Sequence, residues 1–241
     1  MKAQLEGKAA LITGGGSGIG RGLAVALARE GVRVVICGRR EHNLNETAQL
    51  VRDTSGEVVV VPADISKEKD VEKAVRATIN RFGRIDILIN NAGVYAGTSI
   101  NELHPDDWDQ VMATNLRGPF LTTRYVLPLM RKQRSGHIIN ISSESGLEYY
   151  QGDGGYGLSK HALNDLGEYT QRENQDYNIR VNTICPGMVV SEMSENEPGL
   201  DLEKCLVPED IADLVIWLLT RRENIKIGTP ILIQTMLNPW E

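Results

Sequence analysis

Short apolar runs alternate regularly with longer segments of helical periodicity along this chain of 241 residues. An alternation of this kind is typical of parallel strands that are joined by right-handed helical crossovers. The apolar runs are hydrophobic at successive positions, as expected for strands that helices cover on both faces. The sequence therefore predicts an α/β fold: one domain over residues 1–241, with a doubly wound parallel sheet of about seven strands and helices on both faces.

The pattern also predicts where each element lies. The predicted strands are Ala9–Ile12, Arg33–Cys37, Val58–Pro62, Ile85–Ile89, His137–Ile141, Arg180–Ile184 and Ile231–Gln234. The predicted helices are Gly18–Glu30, Glu41–Asp53, Lys67–Phe82, Asp106–Lys132, Tyr156–Asn174 and Pro208–Thr220.

Composition excludes several classes of function. The formal net charge of -6 argues against a non-specific nucleic-acid surface. The sequence shows neither a signal peptide nor 18 consecutive apolar residues, so we expect no membrane association. The cysteines Cys37, Cys185 and Cys205 are odd in number and form no CxxC pair. We predict buried free thiols, no metal site and a cytoplasmic location.

A glycine-rich turn follows the first predicted strand. It reads Thr13-Gly14-Gly15-Gly16-Ser17-Gly18-Ile19-Gly20 and runs directly into a helix. Glycines let the backbone approach a phosphate closely, and a helix N-terminus offers free N–H groups to it. A purely structural tight turn is the alternative. The position after the first strand favours a dinucleotide site formed by Gly14, Gly16, Ser17, Gly18, Ile19 and Gly20.

The end of the second predicted strand indicates which dinucleotide binds. NAD sites carry an acidic residue there for the ribose 2′-hydroxyl. Here the chain continues as Gly38-Arg39-Arg40, which offers guanidinium groups to a phosphate instead. The sequence predicts NADP(H) rather than NAD(H), with Arg39 making the larger contribution. A solvated arginine pair on a surface loop is the alternative.

Tyr156 and Lys160 are four residues apart, so they lie on one face of a predicted helix. A neighbouring ammonium lowers the pKa of a phenol, which would suit Tyr156 to general acid/base catalysis. Such a pair alone is commonplace. Ser142 and Ser143, however, follow the strand His137–Ile141 and should lie at the same sheet edge; we interpret Ser142 as a cap or turn residue.

These features together resemble one family. The turn TGGGSGIG, Asn90-Asn91-Ala92-Gly93, Asn115, Ser143, Tyr156, Lys160 and Pro186-Gly187 occur in the order and spacing of the short-chain dehydrogenase/reductase family. The resemblance extends from about Gly7 to Ile233. It implies a Rossmann-like fold and reversible reduction of a small ketone or aldehyde by hydride transfer.

The resemblance also implies roles for individual residues. Ser143 would polarise the substrate carbonyl, Tyr156 would be the general acid/base, and Lys160 would bind the nicotinamide ribose. Asn115 would bend its helix and hold a proton-relaying water. Thr13 and Asn90 would brace the turn and the sheet. Further cofactor contacts would come from Asp64 and Ile65, from Asn91, Ala92 and Gly93, and from Pro186, Gly187 and Val189.

The substrate side is less defined. Tyr149, Tyr150 and other residues between Ser143 and Tyr156 should form one pocket wall, although a polar surface loop is almost as good an interpretation. The acidic segment Met188–Val207 is predicted to be a mobile lid, with Met193 swinging onto the nicotinamide. Its five acidic residues favour a neutral or cationic substrate; an ordinary surface loop is the alternative. This segment is shorter than in many relatives.

Three further expectations remain. The C-terminal sequence lacks the glycine-rich end of many family members. A homodimer or homotetramer is implied, built from the helices Asp106–Lys132 and Tyr156–Asn174, with Leu121, Tyr125, Leu166 and Tyr169 facing outward. Two other functions stay open: a non-catalytic dinucleotide sensor, and a nucleotide-sugar epimerase or dehydratase.

Overall fold

The computed structural model describes residues 2–195 and 197–241. The described residues form seven strands, β1 to β7 in chain order. They are Ala9–Thr13, Arg33–Gly38, Val58–Pro62, Ile87–Asn90, Gly136–Ile141, Ile179–Pro186 and Ile231–Ile233. All neighbours pair in parallel, in the order β3-β2-β1-β4-β5-β6-β7. This confirms the predicted doubly wound sheet of a Rossmann-like domain.

The α-helices of the described chain are numbered α1 to α8. They are Lys2–Leu5, Gly18–Arg29, Glu41–Asp53, Glu68–Phe82, Pro105–Met112, Gly118–Gln133, Gly154–Asn174 and Pro208–Leu219. Helices α2, α3 and α8 cover one face of the sheet, and α4, α6 and α7 cover the other. Each face has its own apolar core, which explains why β1, β4 and β5 are buried at every position.

The long predicted helix Asp106–Lys132 is interrupted. Helix α5 ends at Met112, a π-helical turn spans Ala113–Arg117, and α6 begins at Gly118. The prediction that Leu121 faces outward is wrong, because this side chain is 2% exposed and belongs to the core between α6 and the sheet. Asn115, which is expected to bend this helix, lies within the π-helical turn.

The topology brings the functional segments to one edge. Strands β1 and β4 are neighbours, and the chain leaves them toward opposite faces, so a crevice opens beyond their carboxyl ends. All three cysteines, each within the described residues, are buried and unpaired with one another. No helix in the described part of the chain is long and apolar enough to cross a membrane.

Candidate active site

The glycine-rich turn between β1 and α2 is tightly packed. Gly14 has a φ of +66°, and a Cβ on it would lie 2.8 Å from the Cα of Ala92. A Cβ on Gly20 would overlap the carbonyl oxygen of Gly14. Within the described chain, the side chain of Ser17 does not cap α2. The N–H groups of the first turn are therefore left for an anion, and the turn fits the diphosphate of a dinucleotide.

Thr13 and Asn91 hold this turn against the end of β4. The Thr13 hydroxyl donates to the carbonyl oxygen of Ile89 at 3.3 Å and accepts from the backbone N–H of Asn91 at 3.0 Å. The Asn91 amide donates to the carbonyl oxygens of Thr13 and Gly14 at 2.9 and 3.1 Å. The side chain of Asn91 thus braces the turn, as was expected of Thr13.

Asn90 points into the sheet and braces it as expected. Its amide donates to the Asn140 side chain at 2.9 Å, and its oxygen accepts from the Thr122 hydroxyl at 2.5 Å. Strands β4 and β5 and helix α6 are joined by these buried polar contacts.

The end of β2 carries the arginine pair. Arg39 and Arg40 are exposed, and among the described residues Arg39 makes no hydrogen bond or ion pair. Arg40 donates to the hydroxyl of Ser17 at 3.2 Å and pairs with Glu192. Asp64 lies near Arg39. Burial acts to raise the pKa of Asp64, but hydrogen bonds from Ser66 and nearby cations outweigh it, so this pKa is lowered.

Ile65 is turned away from this edge. Its side chain is 4% exposed, and a Cβ on Gly118 at the start of α6 would meet it. Its predicted cofactor contact would therefore have to come from backbone atoms.

The fully buried Asn115 links the π-helical turn to the rest of the site. Its side-chain oxygen accepts from the N–H of Val94 at 2.8 Å, and its amide donates to the Val94 carbonyl at 2.9 Å and to the Ser159 hydroxyl at 3.1 Å. Ser159 in turn donates to the carbonyl oxygen of Tyr156. The turn after β4 and the helix that bears Tyr156 are thus joined through Asn115. π-Helical turns are frequent at functional sites.

Ser143, Tyr156 and Lys160 converge next to this turn. Ser143 follows β5 and caps a 3₁₀ turn, Glu144–Gly146, by accepting from the N–H of Ser145 at 3.2 Å. The Lys160 ammonium lies 5.4 Å from the ring centroid of Tyr156 and donates to the carbonyl oxygen of Ile141 at 3.0 Å. A Cβ on Gly93 would lie 3.6 Å from Lys160 Nζ and 3.5 Å from Asn115 Oδ1.

Ser142 differs from Ser143. It is buried, and its hydroxyl donates to the carbonyl oxygen of Lys160 at 3.2 Å. Ser142 thus ties the end of β5 to α7; the structural interpretation as a cap or turn residue is right in kind, although the contact is to the backbone of α7 and caps no helix.

Burial is the largest influence on the pKa values of Tyr156 and Lys160. It raises the pKa of Tyr156 to about 12, while hydrogen bonding with Ser143 acts in the opposite direction. Burial also lowers the pKa of Lys160 to about 8, with Cys185 opposing. In the chain alone, desolvation of the phenolate is thus the largest influence on the pKa of Tyr156, and the lowering of that pKa by Lys160 stays a prediction.

A cleft of about 370 Å³ opens in front of Ser143 and Tyr156. The expected residues Ile19, Tyr150, Pro186, Gly187, Val189 and Met193 contribute to its lining. Tyr149 does not: it is 88% exposed and stacks on His161, outside the cleft. Three carboxylates, Glu144, Asp153 and Glu197, line the cleft, and the described lining contains no lysine, arginine or histidine.

Sequence reasoning missed Tyr95 and Trp240. The ring of Tyr95 meets the Tyr156 ring edge to face, with centroids 5.2 Å apart, and its hydroxyl donates to Asp153 at 2.8 Å. Asp153 also accepts from the Ser145 hydroxyl at 2.8 Å. Tyr95 follows Gly93 by two residues, so its place after β4 was a usable signal. Nothing local indicated that Trp240, next to the last residue, reaches the cleft.

The predicted lid Met188–Val207 has a fixed base. Leu206 N donates to the Met188 carbonyl at 2.9 Å, and Val190 N donates to the Leu206 carbonyl at 2.8 Å. Val189, Cys205 and Leu206 are buried. The segment therefore has more apolar anchoring than its composition suggested, confined to its two ends.

The C-terminal residues pack on the same segment. The N–H of Asp201 donates to the carbonyl of Pro239 at 2.8 Å, and Lys204 donates to the Glu241 carbonyl at 3.0 Å. The chain end thus takes part in closing the cleft, on the side where the sequence departs from many family members.

This arrangement agrees with the comparison to known families. A family model described as short chain dehydrogenase matches residues 8–199, which contain the glycine-rich turn, Asn115, Ser143, Tyr156 and Lys160. The chain belongs to this family. It is therefore an oxidoreductase domain of the kind that binds a nicotinamide dinucleotide and acts on small molecules.

Individual proteins extend the comparison. An uncharacterized oxidoreductase of Thermotoga maritima is 42% identical over 187 residues, which cover 78% of this chain and 74% of that protein. A 3-ketoacyl-(acyl-carrier-protein) reductase from Brucella melitensis, solved with NADH, has a TM-score of 0.88 at 29% identity, covering 95% and 98% of the two chains. A variant of actinorhodin polyketide ketoreductase, solved with NADPH, has a TM-score of 0.89 at 29% identity and covers 98% of both chains.

Proposed function

We propose that this chain is an NADP(H)-dependent oxidoreductase that reversibly reduces a small ketone or aldehyde to the alcohol. The observation that carries the proposal is the placement of Ser143 and Tyr156 on the wall of one cleft, with Lys160 against Tyr156 and Asn115 behind them. The two solved neighbours named above are reductases of keto groups, which supports the same reaction class.

The chemistry follows from the proton affinities of the site. The bound nicotinamide would supply or accept the hydride. With its pKa raised to about 12, Tyr156 is protonated at neutral pH and can donate its proton to a carbonyl oxygen. Ser143 would hydrogen-bond that oxygen, and the Lys160 ammonium would stabilise the phenolate that remains. The protonated phenol favours reduction over oxidation near pH 7.

The cofactor proposal depends on the end of β2. Arg39 and Arg40 lie where an NAD site would carry a carboxylate, and they offer two permanent charges to a 2′-phosphate. The neighbours include one complex with NADH and one with NADPH, so the choice of NADP(H) is supported by these arginines alone. The glycine-rich turn with Ala92 and Gly93, together with Pro186 to Val189 after β6, would hold the rest of the dinucleotide.

The cleft also supports a class of substrate. Tyr95, Tyr150 and Trp240 give it aromatic walls, while its three carboxylates would repel an anion. Burial raises the pKa of Glu144, and the charge of Asp153 acts in the same direction. A neutral or cationic carbonyl compound fits this cleft better than an anionic one.

Assembly and location belong to the same proposal. Tyr169 on α7 and Phe120 on α6 are 68% and 48% exposed, which supports a homodimer or homotetramer built on these helices. The buried free cysteines are compatible with the expected cytoplasmic location.

The direct experiment follows NADPH absorbance with a panel of carbonyl compounds matched in size. The panel pairs neutral, cationic and carboxylate-bearing ketones and aldehydes, each tested with NADPH and with NADH. We expect turnover with NADPH on neutral or cationic members. A chain that binds NADPH tightly but turns over none of them would favour the non-catalytic sensor instead.

A further inference from the structure

The carboxylate of Glu192 lies against the end of β2, although the two segments are 152 residues apart in sequence. It accepts hydrogen bonds from the Arg40 guanidinium and from the Asn43 amide, the latter at 3.0 Å. Arg40 also donates to the Ser17 hydroxyl at 3.2 Å. The chain thus holds an anion of its own between the glycine-rich turn and the start of α3.

The surroundings of this carboxylate are those of an anion site. The pKa of Glu192 is lowered, mainly by the hydrogen bond from Arg40, with Ser17 and Arg21 acting in the same direction. Asn43 is 6% exposed, so one of the donors is fixed by packing. One of these donors, Arg40, is also a residue that the proposed function assigns to the 2′-phosphate on the adenosine ribose.

Ser191, which precedes Glu192 in the lid, lies next to the glycine-rich turn. A Cβ on Gly18, the first residue of α2, would lie only 3.2 Å from the Cβ of Ser191. The Ser191-Glu192 segment therefore lies across the beginning of α2, the position that the diphosphate is expected to approach.

We propose that Glu192 is a cofactor-specificity residue whose carboxylate occupies the position that the 2′-phosphate of NADP(H) requires. This inference rests on the proposed NADP(H) function. A phosphate and a carboxylate cannot share Arg40 without repulsion, so the phosphate must displace Glu192. The ribose of NAD(H) carries a neutral hydroxyl there and does not have to displace it. Glu192 thus reduces the preference for NADP(H) that the two arginines create.

The size of the effect follows from the exposure of the pair. The side chains of Arg40 and Glu192 are 55% and 45% exposed, and exposed ion pairs contribute little in water. Removing the competing charge should therefore tighten binding of a 2′-phosphate by about 2- to 5-fold.

The test measures binding of adenosine 2′,5′-bisphosphate and of adenosine 5′-monophosphate by isothermal titration calorimetry. These probes differ only in the 2′-phosphate and need no turnover. Wild type is compared with Glu192→Gln and with Glu195→Gln, which removes the same charge from an exposed position on the same segment. We expect Glu192→Gln alone to bind the bisphosphate more tightly, by about 2- to 5-fold, with the monophosphate unchanged.

The other outcomes contradict the proposal in distinguishable ways. Unchanged or weaker bisphosphate binding by Glu192→Gln would remove this role of Glu192 while leaving the NADP(H) assignment intact. Equal tightening for both probes would show a general obstruction of the adenosine site and overturn the specificity role. If wild type binds the monophosphate as tightly as the bisphosphate and no variant changes this, the NADP(H) assignment itself fails.

Discussion

The ring of Tyr95 meets the ring of Tyr156 edge to face, with centroids 5.2 Å apart and planes at 81°. The Tyr95 hydroxyl donates to Asp153, which Ser145 also contacts, so a polar chain fixes the ring beside the proposed acid. Edge-to-face pairs contribute about 0.5–1.5 kcal/mol beyond burial. We therefore expect Tyr95 to act as a positioning residue for Tyr156.

This relationship leads to a graded expectation. Tyr95→Ala should lower kcat/KM for carbonyl reduction roughly 10-fold, whereas Tyr95→Phe keeps the ring and should lose less than about 5-fold. Tyr149→Ala is the matched control, because Tyr149 lies outside the cleft. Steady-state kinetics of the three variants measure kcat/KM. If Tyr149→Ala lowered kcat/KM as much as Tyr95→Ala, the proposed positioning would be contradicted.

Arg39 should carry much of the cofactor preference. It is exposed and makes no hydrogen bond or ion pair among the described residues, so its guanidinium is available to a 2′-phosphate. Loss of a charge-assisted hydrogen bond costs about 1.5–3 kcal/mol, or about 10- to 150-fold in affinity. Arg39→Ala should weaken NADPH to this extent and leave NADH little changed.

The control for Arg39 is Arg52→Ala, which removes an exposed arginine at the far end of α3. Cofactor fluorescence titrations measure both affinities. A wild-type preference for NADH, or an equal loss in the two variants, would contradict the assignment of NADP(H).

The lowered pKa of Lys160 sets a pH dependence. Burial moves this pKa from 10.5 to about 8, so the ammonium is present below about pH 8 and is lost above it. Without the charge, the phenolate formed at Tyr156 is less stabilised. We expect kcat/KM for reduction to be constant below about pH 8 and to fall above it. Lys160→Met should abolish this inflection; a profile unchanged by the substitution would assign it to another group.

Much of the fold was accessible from the sequence because it depends on local patterns. Buried parallel strands require runs of apolar residues such as Val34–Cys37, and crossover helices require periodicity. The break at Ala113–Arg117 was not visible in that periodicity, since helical spacing continues on both sides of the single widened turn. The bend at Asn115 was expected only from the family resemblance.

The sequence predicted the site less well where it depends on packing between distant segments. Spacing alone placed Tyr156 and Lys160 on one helical face, but it could not give the burial that raises the phenol pKa. Contacts of Glu192 with Arg40 and of the C-terminal residues with the lid join distant segments. Tyr149 was assigned to the cleft wrongly, because adjacent residues can face opposite ways: Tyr150 lines the cleft, whereas Tyr149 is exposed and stacks on His161.

The segment between Met188 and Val207 should respond to cofactor in its middle and not at its base. The paired ends are held by backbone hydrogen bonds, whereas the described residues of 191–195 and 197–204 bury little apolar surface. In hydrogen exchange, NADPH should slow exchange in residues 191–204 and leave the pairing of Val190 with Leu206 protected throughout. Equal and strong protection of the whole segment in both states would show a fixed loop.

Turnover by Tyr156→Phe tests the central claim most directly, because the substitution deletes the one oxygen that is proposed to transfer the proton. General acid/base catalysis contributes about 100- to 10,000-fold. We expect NADPH-dependent reduction of a substrate from the panel to fall by that factor, while circular dichroism and NADPH affinity match wild type. Substantial activity in a folded, NADPH-binding Tyr156→Phe protein would mean that another group handles the proton, and would contradict the proposed mechanism.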